Sequence, residues 1–535
     1  MRTQQNTYIK YNKLRAPRQM VLPLDFGVMI PEDEPVRLLD ALLEELNYTK
    51  LHQLYSSKGR KSAIPPRIIF KLYIFAMTEG IYSTRQIQRQ CQVNLQYKWL
   101  LEGYPVPSHM AFQRFFARLT LPITKDLFSQ LISKIAALDS ITFDEVFIDG
   151  TKFEANANRY TFVWRKSVER RLASLPAKLA KLQKEAAKIL HVDTSFYADD
   201  LLAFQLKAYI DACEIKIVHG IGKRKHPVQR LWEAVCEWRD RRLRYEANLA
   251  IMNGRNSYSK TDPDATFMRM KEDHMRNGQL KPAYNVQIAA HSEYILGVGI
   301  FPNPTDTKTL IPFMKELEGL YKQKFRTVVA DAGYGGEENL AWLYKHNYST
   351  CIKPYTYEKS KTRKWKNDIG RAENMTYCEA TDTFTCATGH ELTYLFQRKN
   401  MTDTGFIRQS RVYGCSSCEG CLRRKECQKP VLGRYSKTGK RLYISPIYNT
   451  LLSKNMETFK SSQGIQLRIN RSIQVEGIFG VLKQDYGFKR FLHKGAEKVH
   501  KELMLLAMGF NLQKLHNRNI KGRIGLRLFD EKGSA

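Results

Sequence analysis

The chain has 535 residues, with 86 Lys and Arg against 53 Asp and Glu, a formal net charge of +33 and 43% hydrophobic residues. That length suffices for a large core and several structural units, and no uninterrupted apolar run approaches the roughly 20 residues of a membrane-spanning helix. The basic excess suits a polyanionic partner, because neutralising phosphates releases condensed counterions. MRTQQNTYIKYNK at the start is basic but lacks an apolar signal core, so a cytoplasmic location without a membrane partner is expected. The ten cysteines then read as thiols or metal ligands rather than disulfides.

Residues 1 to about 30 read as an irregular arm. From 33 to 140 the pattern is helical: apolar groups recur at helical spacing through Pro35-Val36-Arg37-Leu38-Leu39. Pro65-Pro66-Arg67-Ile68-Ile69 opens a helix with proline in its first turn, and Ser83-Thr84-Arg85 caps another. Residues 1–140 are therefore expected to be an all-helical N-terminal domain, either a DNA-binding module or a structural bundle. From about 141 strands take over. Phe143 to Asp149 is expected to be one strand and Lys152 to Asn156 its partner, joined by a turn at Gly150-Thr151. Residues 165–252 return to charged helical sequence and read as an insertion of antiparallel helices. Strands resume at Tyr284–Ile288 and Tyr294–Ile300, followed by a helix over 307–321, a strand ending at Asp331, a helix over 337–344 and a short strand near Thr350-Cys351-Ile352. This order describes an α/β chain with a mixed sheet over 141–515. Residues 516–535 are left as a basic C-terminal tail.

Residues 356–445 interrupt that sheet with a Cys-rich insertion. Cys415, Cys418, Cys421 and Cys427 form its dense part, preceded by Cys378, Cys386 and His390. Thiolates two residues apart can converge on one tetrahedral ion, so a structural Zn²⁺ held by Cys415, Cys418, Cys421 and Cys427, with Cys386 as a further candidate, is the leading expectation. An iron–sulfur cluster and unligated thiols are the alternatives. Cys91, Cys213, Cys236 and Cys351 lie in apolar or helical context and are expected in the core.

Three acids far apart in the chain stand where metal ligands would be useful. Asp149 ends Val146-Phe147-Ile148, Asp331 ends Thr327-Val328-Val329-Ala330, and Glu476 lies in the helical Ile473–Gly480 segment. Ligands in α/β sheets gather at strand ends, and hard divalent cations take carboxylate oxygens. Converged, these acids could hold two such ions, which with the basic charge points to phosphodiester chemistry on nucleic acid. Asp144, Glu145 and Glu154 are nearby competitors; Glu145 shares a strand face with Asp149, whereas Asp144 and Glu154 do not. Asp149 and Asp331 could each instead shape a turn before glycine, and Glu476 alone could be a solvated helix acid.

Ile148-Asp149-Gly150-Thr151-Lys152, Val329-Ala330-Asp331-Ala332-Gly333-Tyr334 and Val475-Glu476-Gly477-Ile478-Phe479-Gly480, in this order, resemble the bacterial insertion-sequence transposases of the DDE class. The resemblance runs over nearly the whole chain. It includes Gly80-Ile81-Tyr82-Ser83-Thr84-Arg85 and Pro107-Ser108-His109 in the helical part, Thr261-Asp262-Pro263-Asp264-Ala265, the tract from Asn277 to Gln287, and the cysteine-bearing insertion. It implies a ribonuclease H-like mixed sheet and catalytic metal ligands at Asp149, Asp331 and Glu476. The cofactor implied is two Mg²⁺ ions, or Mn²⁺. The activity implied is binding of terminal inverted repeats, cleavage at the 3′ ends of the element and strand transfer into target DNA. The partners implied are double-stranded DNA, at element ends and target, and a second copy of the chain on that DNA, in a bacterial cytoplasm at the nucleoid. Lys483, seven residues after Glu476, matches a lysine of related transposases that could contact DNA. The related pattern also expects a tyrosine and an arginine upstream, where Ile469 and Ser472 stand; Arg471 or Arg468 could substitute, with Arg471 the candidate DNA contact. The alternative functions are a catalytically inactive or domesticated sequence-specific DNA-binding protein, and a nuclease that cuts without joining.

Overall fold

The computed structural model describes residues 26–55, 62–220, 224–270, 278–321, 323–415, 418, 420–428, 430 and 439–526. Most of the expected N-terminal arm, the first residue of the Asn277–Gln287 tract and the end of the expected tail lie outside this range. Within it, Phe26–Met29 is a short helix and the final helix, Ala496–Ile520, continues past residue 515.

The sheet is built on β1, Glu145–Glu154. The expected turn at Gly150-Thr151 is absent: Asp149, Gly150 and Thr151 pair without interruption with Ile288, Gln287 and Val286. Gly150 therefore serves a strand rather than a turn, and Lys152–Asn156 does not form a separate partner strand. The true partner, β5 (Leu280–His291), lies beyond the helical insertion and runs antiparallel to β1. β5 also pairs antiparallel with β4 (Thr266–Arg269) and β6 (Tyr294–Phe301). The β5–β6 connection is two residues, Ser292 and Glu293, both at positive φ, as tight hairpins require. On the other side β7 (Thr327–Ala330) runs parallel to β1, and β8 (Ser349–Ile352) parallel to β7. The order is β6–β5–β1–β7–β8, with β4 also on β5. Val146, Phe147 and Ile148 are all buried, because both faces are covered, which is why that stretch is apolar without alternation.

Helix Leu310–Leu320 covers one face so closely that a Cβ on Gly297 would lie 2.2 Å from Leu317 Cδ2 and one on Gly299 2.8 Å from Phe313 Cδ2. Helix Ala496–Ile520 covers the other face and is itself covered by the N-terminal helices. A Cβ on its Gly509 would lie 2.8 Å from Met77 Cβ of helix Pro66–Thr78. The N-terminal helices and the sheet thus share one continuous core.

Both insertions carry their own cores. The helical one comprises Arg165–Ala173, Leu175–Leu190, Asp199–Ala212 and Pro227–Met252, packed around Leu202, Leu206, Ile210, Leu231 and Val235. β2 (Phe162–Trp164) and β3 (Ser257–Ser259) pair to clamp its base. The Cys-rich insertion contains a second sheet of β9 (Thr376–Cys378), β10 (Thr383–Thr385), β11 (Glu391–Met401), β12 (Ile407–Gly414) and β13 (Arg441–Ile444), around Phe384, Leu392, Tyr413 and Leu442. The tip of its β11–β12 hairpin rests on the first sheet's loops, through Lys308 to Asp403 at 2.8 Å, Thr404 Oγ1 to Glu338 Oε2 at 2.7 Å and Arg408 to Glu337 at 2.9 Å. No helix among the described residues is long and apolar enough to cross a membrane.

Each outer strand of the first sheet is closed by one buried asparagine. Asn511 accepts from Ile295 N and donates to Ile295 O, both at 2.8 Å. Asn455, on helix Pro446–Lys460, accepts from Ile352 N at 2.9 Å and donates to Ile352 O at 2.7 Å. These amides satisfy edge groups that would otherwise be buried without partners. Asn511→Leu or Asn455→Leu strands two buried backbone groups, so each is expected to cost about 2–4 kcal/mol. Denaturant unfolding with an unchanged midpoint would show instead that helix packing alone holds the edges.

Candidate active site

β1 and β7 are paired in parallel from Glu145↔Thr327 to Ile148↔Ala330. One residue further along each, Asp149 and Asp331 stand side by side at the end of β7. Asp331 keeps an extended backbone, φ −81° and ψ −177°, so its side chain leaves on the same face as its in-register neighbour. Both carboxylates are fixed locally: Asp149 Oδ1 accepts from Gly150 N at 2.8 Å, and Asp331 Oδ1 from Gly333 N at 2.8 Å.

Glu476 comes from the segment after helix Ser462–Arg471. Two π-helical turns, Ser472–Glu476 and Val481–Asp485, flank a short α-helical piece, Gly477–Gly480. Val475, Ile478 and Leu482 are buried, whereas Glu476 is exposed. In a regular α-helix residues five apart do not face each other; the wider π turn brings Arg471 and Glu476 together. Arg471 donates from Nη1 to Asp149 Oδ2 at 3.1 Å and from Nη2 to Glu476 Oε1 at 3.4 Å, joining the two acids. Arg468 is engaged elsewhere, donating to Gly464 O at 3.3 Å and lying 4.1 Å over the Phe459 ring. Lys483 Nζ donates to Thr151 Oγ1 at 2.9 Å and lies 5.2 Å from the Phe153 ring centre. Residues 149, 151 and 153 share one face of β1, so Arg471, Glu476 and Lys483 all address that face.

The three expected acids are spread more loosely than a tight trio. Among the described residues, Asp40, Glu44 and Glu102 have ligand oxygens within 4.8 Å of one another, but the buried Lys71 Nζ occupies them at 2.5, 2.5 and 2.6 Å. Around Asp149 the gap is filled by the Arg471 guanidinium. The competing acids are committed elsewhere: Glu154 to Arg159 and Lys281, Asp144 to Arg326, and Glu145 to His291.

Sequence reasoning missed Asp306, which begins a 3₁₀ turn after β6. Its Oδ1 accepts from Asn285 Nδ2 at 2.8 Å and Gln287 Nε2 at 2.9 Å. A Cβ built on Gly150, on the face opposite Asp149, would lie 2.3 Å from Gln287 Nε2, 2.7 Å from Asp306 Oδ1 and 3.1 Å from Tyr334 Oη. A Cβ on Gly333 would lie 3.1 Å from Asp331 Oδ1 and 3.5 Å from Asp306 Oδ2. Tyr334 is fully buried and donates to Gln287 Oε1. Its phenol is pushed well above the usual range, first by burial and then by the charges of Asp306, Asp149 and Asp331. The Asp306 signal in the sequence is faint, an aspartate in the polar loop Asn303-Pro304-Thr305-Asp306 with no strand end to mark it.

The cysteines form a second assembly. Cys386, Cys415, Cys418, Cys421, Cys427 and His390 line a cavity of about 20 Å³. Cys418 Sγ accepts from Lys440 N at 3.2 Å, and Cys386 Sγ lies 3.1 Å from Thr388 Oγ1. Burial raises the Cys427 thiol; Lys440 opposes this, and Cys418, Cys386 and Cys421 add to it. Gln428 lines the same cavity, 7% exposed, with both side-chain polar atoms lacking hydrogen-bond partners among the described residues. Cys378 is exposed on β9. Of the four cysteines expected in cores, Cys91 and Cys351 are buried and Cys236 partly so, but Cys213 is exposed, because it follows the last turn of its helix.

Residues 385–516 match the family described as Transposase DDE domain, and residues 24–118 the family described as Transposase domain (DUF772). The first spans Glu476, Lys483 and the cysteine cavity; the second spans the N-terminal helices. No curated protein matches the chain.

The close approach at Gly150 makes a direct test of this packing. Gly150→Ala is expected to cost about 1–3 kcal/mol, because the added methyl must displace Gln287 and Asp306. A melting temperature equal to that of the unaltered chain would mean that the approach is looser than the distances given above.

Proposed function

We propose that this chain, which belongs to the insertion-sequence DDE transposases, binds the terminal inverted repeats of its element, cleaves their 3′ ends and joins them to target DNA. The observation that carries the reading is the position of Asp149 and Asp331, each one residue beyond the paired Ile148 and Ala330 of parallel strands, with Arg471 linking Asp149 to Glu476. The strand order, antiparallel across β6, β5 and β1 and parallel across β1, β7 and β8, supports a ribonuclease H-like core.

The donor set fits hard divalent cations, since Asp149, Asp331 and Glu476 all offer carboxylate oxygens. Two Mg²⁺ ions, or Mn²⁺, activate a water or 3′ hydroxyl and stabilise the leaving oxygen of a phosphodiester when bound there. Asp149 and Asp331 would hold them from the sheet and Glu476 from the helix. Arg471 neutralises Asp149 and Glu476, which keeps their charges together until a cation takes over that role. Lys483, on the same face of β1 and anchored at Thr151, would take a DNA phosphate. A net charge of +33 supports a DNA partner, and pairing two element ends calls for a dimer on DNA. The location proposed is the bacterial cytoplasm, at the nucleoid. Acids at all three positions favour an active enzyme over a DNA-binding descendant.

The Cys-rich insertion fits a structural Zn²⁺. Thiols from Cys386, Cys415, Cys418, Cys421 and Cys427 line one cavity, and thiolates two residues apart suit a single tetrahedral Zn²⁺. Because the hairpin of this insertion rests on the turn bearing Lys308 and on the first residues of helix Glu337–Lys345, the ion would also steady one rim of the site.

Asp149→Asn, Asp331→Asn and Glu476→Gln are each expected to lower Mg²⁺-dependent cleavage of end DNA by about 10³-fold or more, the scale of removing a key transition-state contact, with DNA affinity within a few-fold of the unaltered chain. Near-normal cleavage by any one would remove that residue from the site. Elemental analysis is expected to find about one zinc per chain; iron in its place, or neither metal, would contradict the structural-zinc reading.

A further inference from the structure

We propose that Asp306 is a fourth carboxylate of the divalent-cation site, its Oδ1 fixed by two strand amides and its side chain lying beside the turn that Asp331 opens. The proposal rests on reading Asp149 and Asp331 as cation ligands and adds a residue which that reading does not require.

The placement is specific. Asn285 and Gln287 are 1% and 0% exposed and both donate to the same carboxylate oxygen. Successive residues on one face of β5 thus hold Asp306 from a single side and set its orientation. Tyr334 fixes the Gln287 amide in turn: the phenol donates to Oε1, so Nε2 is the end directed to Asp306. Asp306 Oδ2 and Cβ each lie 3.5 Å from the point where a Gly333 Cβ would sit, and Asp331 Oδ1 lies 3.1 Å from that same point. Two carboxylates therefore face a common space. Among the described residues neither is in an ion pair, whereas Asp149 and Glu476 share Arg471. Like charges placed side by side without a cation are unfavourable, and a divalent ion relieves that repulsion.

Gly150 explains how Asp306 reaches this end of the sheet. Asp149 leaves β1 on one face, while Asp306 approaches from the other, on the turn that precedes helix Leu310–Leu320. Any side chain at residue 150 would fill the gap, as the distances of 2.3 Å and 2.7 Å to Gln287 and Asp306 require. The bare strand at Gly150 leaves room for Gln287 and Asp306 on the face opposite Asp149.

The test is Mn²⁺ binding by the full chain without DNA, followed through the electron paramagnetic resonance of free Mn²⁺, with melting temperatures recorded with and without the ion. Asp306→Asn preserves an acceptor for Asn285 and Gln287 and removes one charge. It is expected to melt at or above the unaltered chain without metal, and to bind Mn²⁺ about 10- to 100-fold more weakly, as metal-site supporting groups do. Asp306→Glu, which keeps a carboxylate, is expected to recover part of that loss. Mn²⁺ affinity of Asp306→Asn within twofold of the unaltered chain, alongside a clear loss in Asp331→Asn, would overturn the proposal and leave the Asp149–Asp331 site standing. Equal weakening by the Asn and Glu variants would overturn it too, by showing that shape rather than charge matters. Unaltered binding in Asp149→Asn and Asp331→Asn would overturn both readings.

Discussion

The parallel pairing of β1 with β7 is the constraint on which the site depends. Two strands whose sequence positions differ by 182 residues at Ile148 and Ala330 are locked in register, and that register alone makes Asp149 and Asp331 neighbours. A slip of one residue would send one of the two side chains to the opposite face. The register is protected on every side. Val146, Ile148, Val328 and Val329 are completely buried, β5 pairs with β1 from Phe147 to Glu154, and the outer strands are closed by Asn511 and Asn455. The asparagines keep the sheet from ending in unpaired edges that could shift, and Asn455 does so at Ile352, the register partner of Ala330.

The second requirement is a helix that delivers Glu476 to the same end. A regular helix would bury Val475, Ile478 and Leu482 and leave Arg471 turned away from Glu476. The π turns accommodate both demands: the apolar residues remain inside while Arg471 spans Asp149 and Glu476. The guanidinium is a provisional counter-ion, suited to holding acids that would otherwise repel each other. The hairpin of the cysteine insertion leans on the neighbouring loops through Lys308, Glu337 and Glu338. Two parts of the chain with separate cores thereby share an interface beside the proposed site.

Much of this was legible in the sequence, and the gaps have physical causes. Asp331 was marked by an apolar strand running into the glycine-rich Ala332-Gly333-Tyr334-Gly335-Gly336, and Glu476 by the helical recurrence of its apolar neighbours. The helical and cysteine-bearing insertions were visible as changes of period and composition. Gly150 misled, because glycine after aspartate ordinarily signals a turn, whereas here it stays in the strand to admit Gln287 and Asp306. Asp306 was invisible because its role comes from two amides on β5 and a phenol after β7, partners that only the folded chain assembles. Arg471 was ambiguous with Arg468 as long as regular helical spacing was assumed; the π turn separates them. Cys213 followed a helix pattern that gave no sign of which face its last turn would bury.

The most direct measurement is anomalous diffraction at the manganese edge from crystals of the full chain grown with Mn²⁺ and end DNA. The account predicts metal density between Asp149 and Asp331, touched by Glu476, with Arg471 displaced from Asp149. Density confined to other acids, or Arg471 still bound to Asp149 with no metal beside it, would contradict the account.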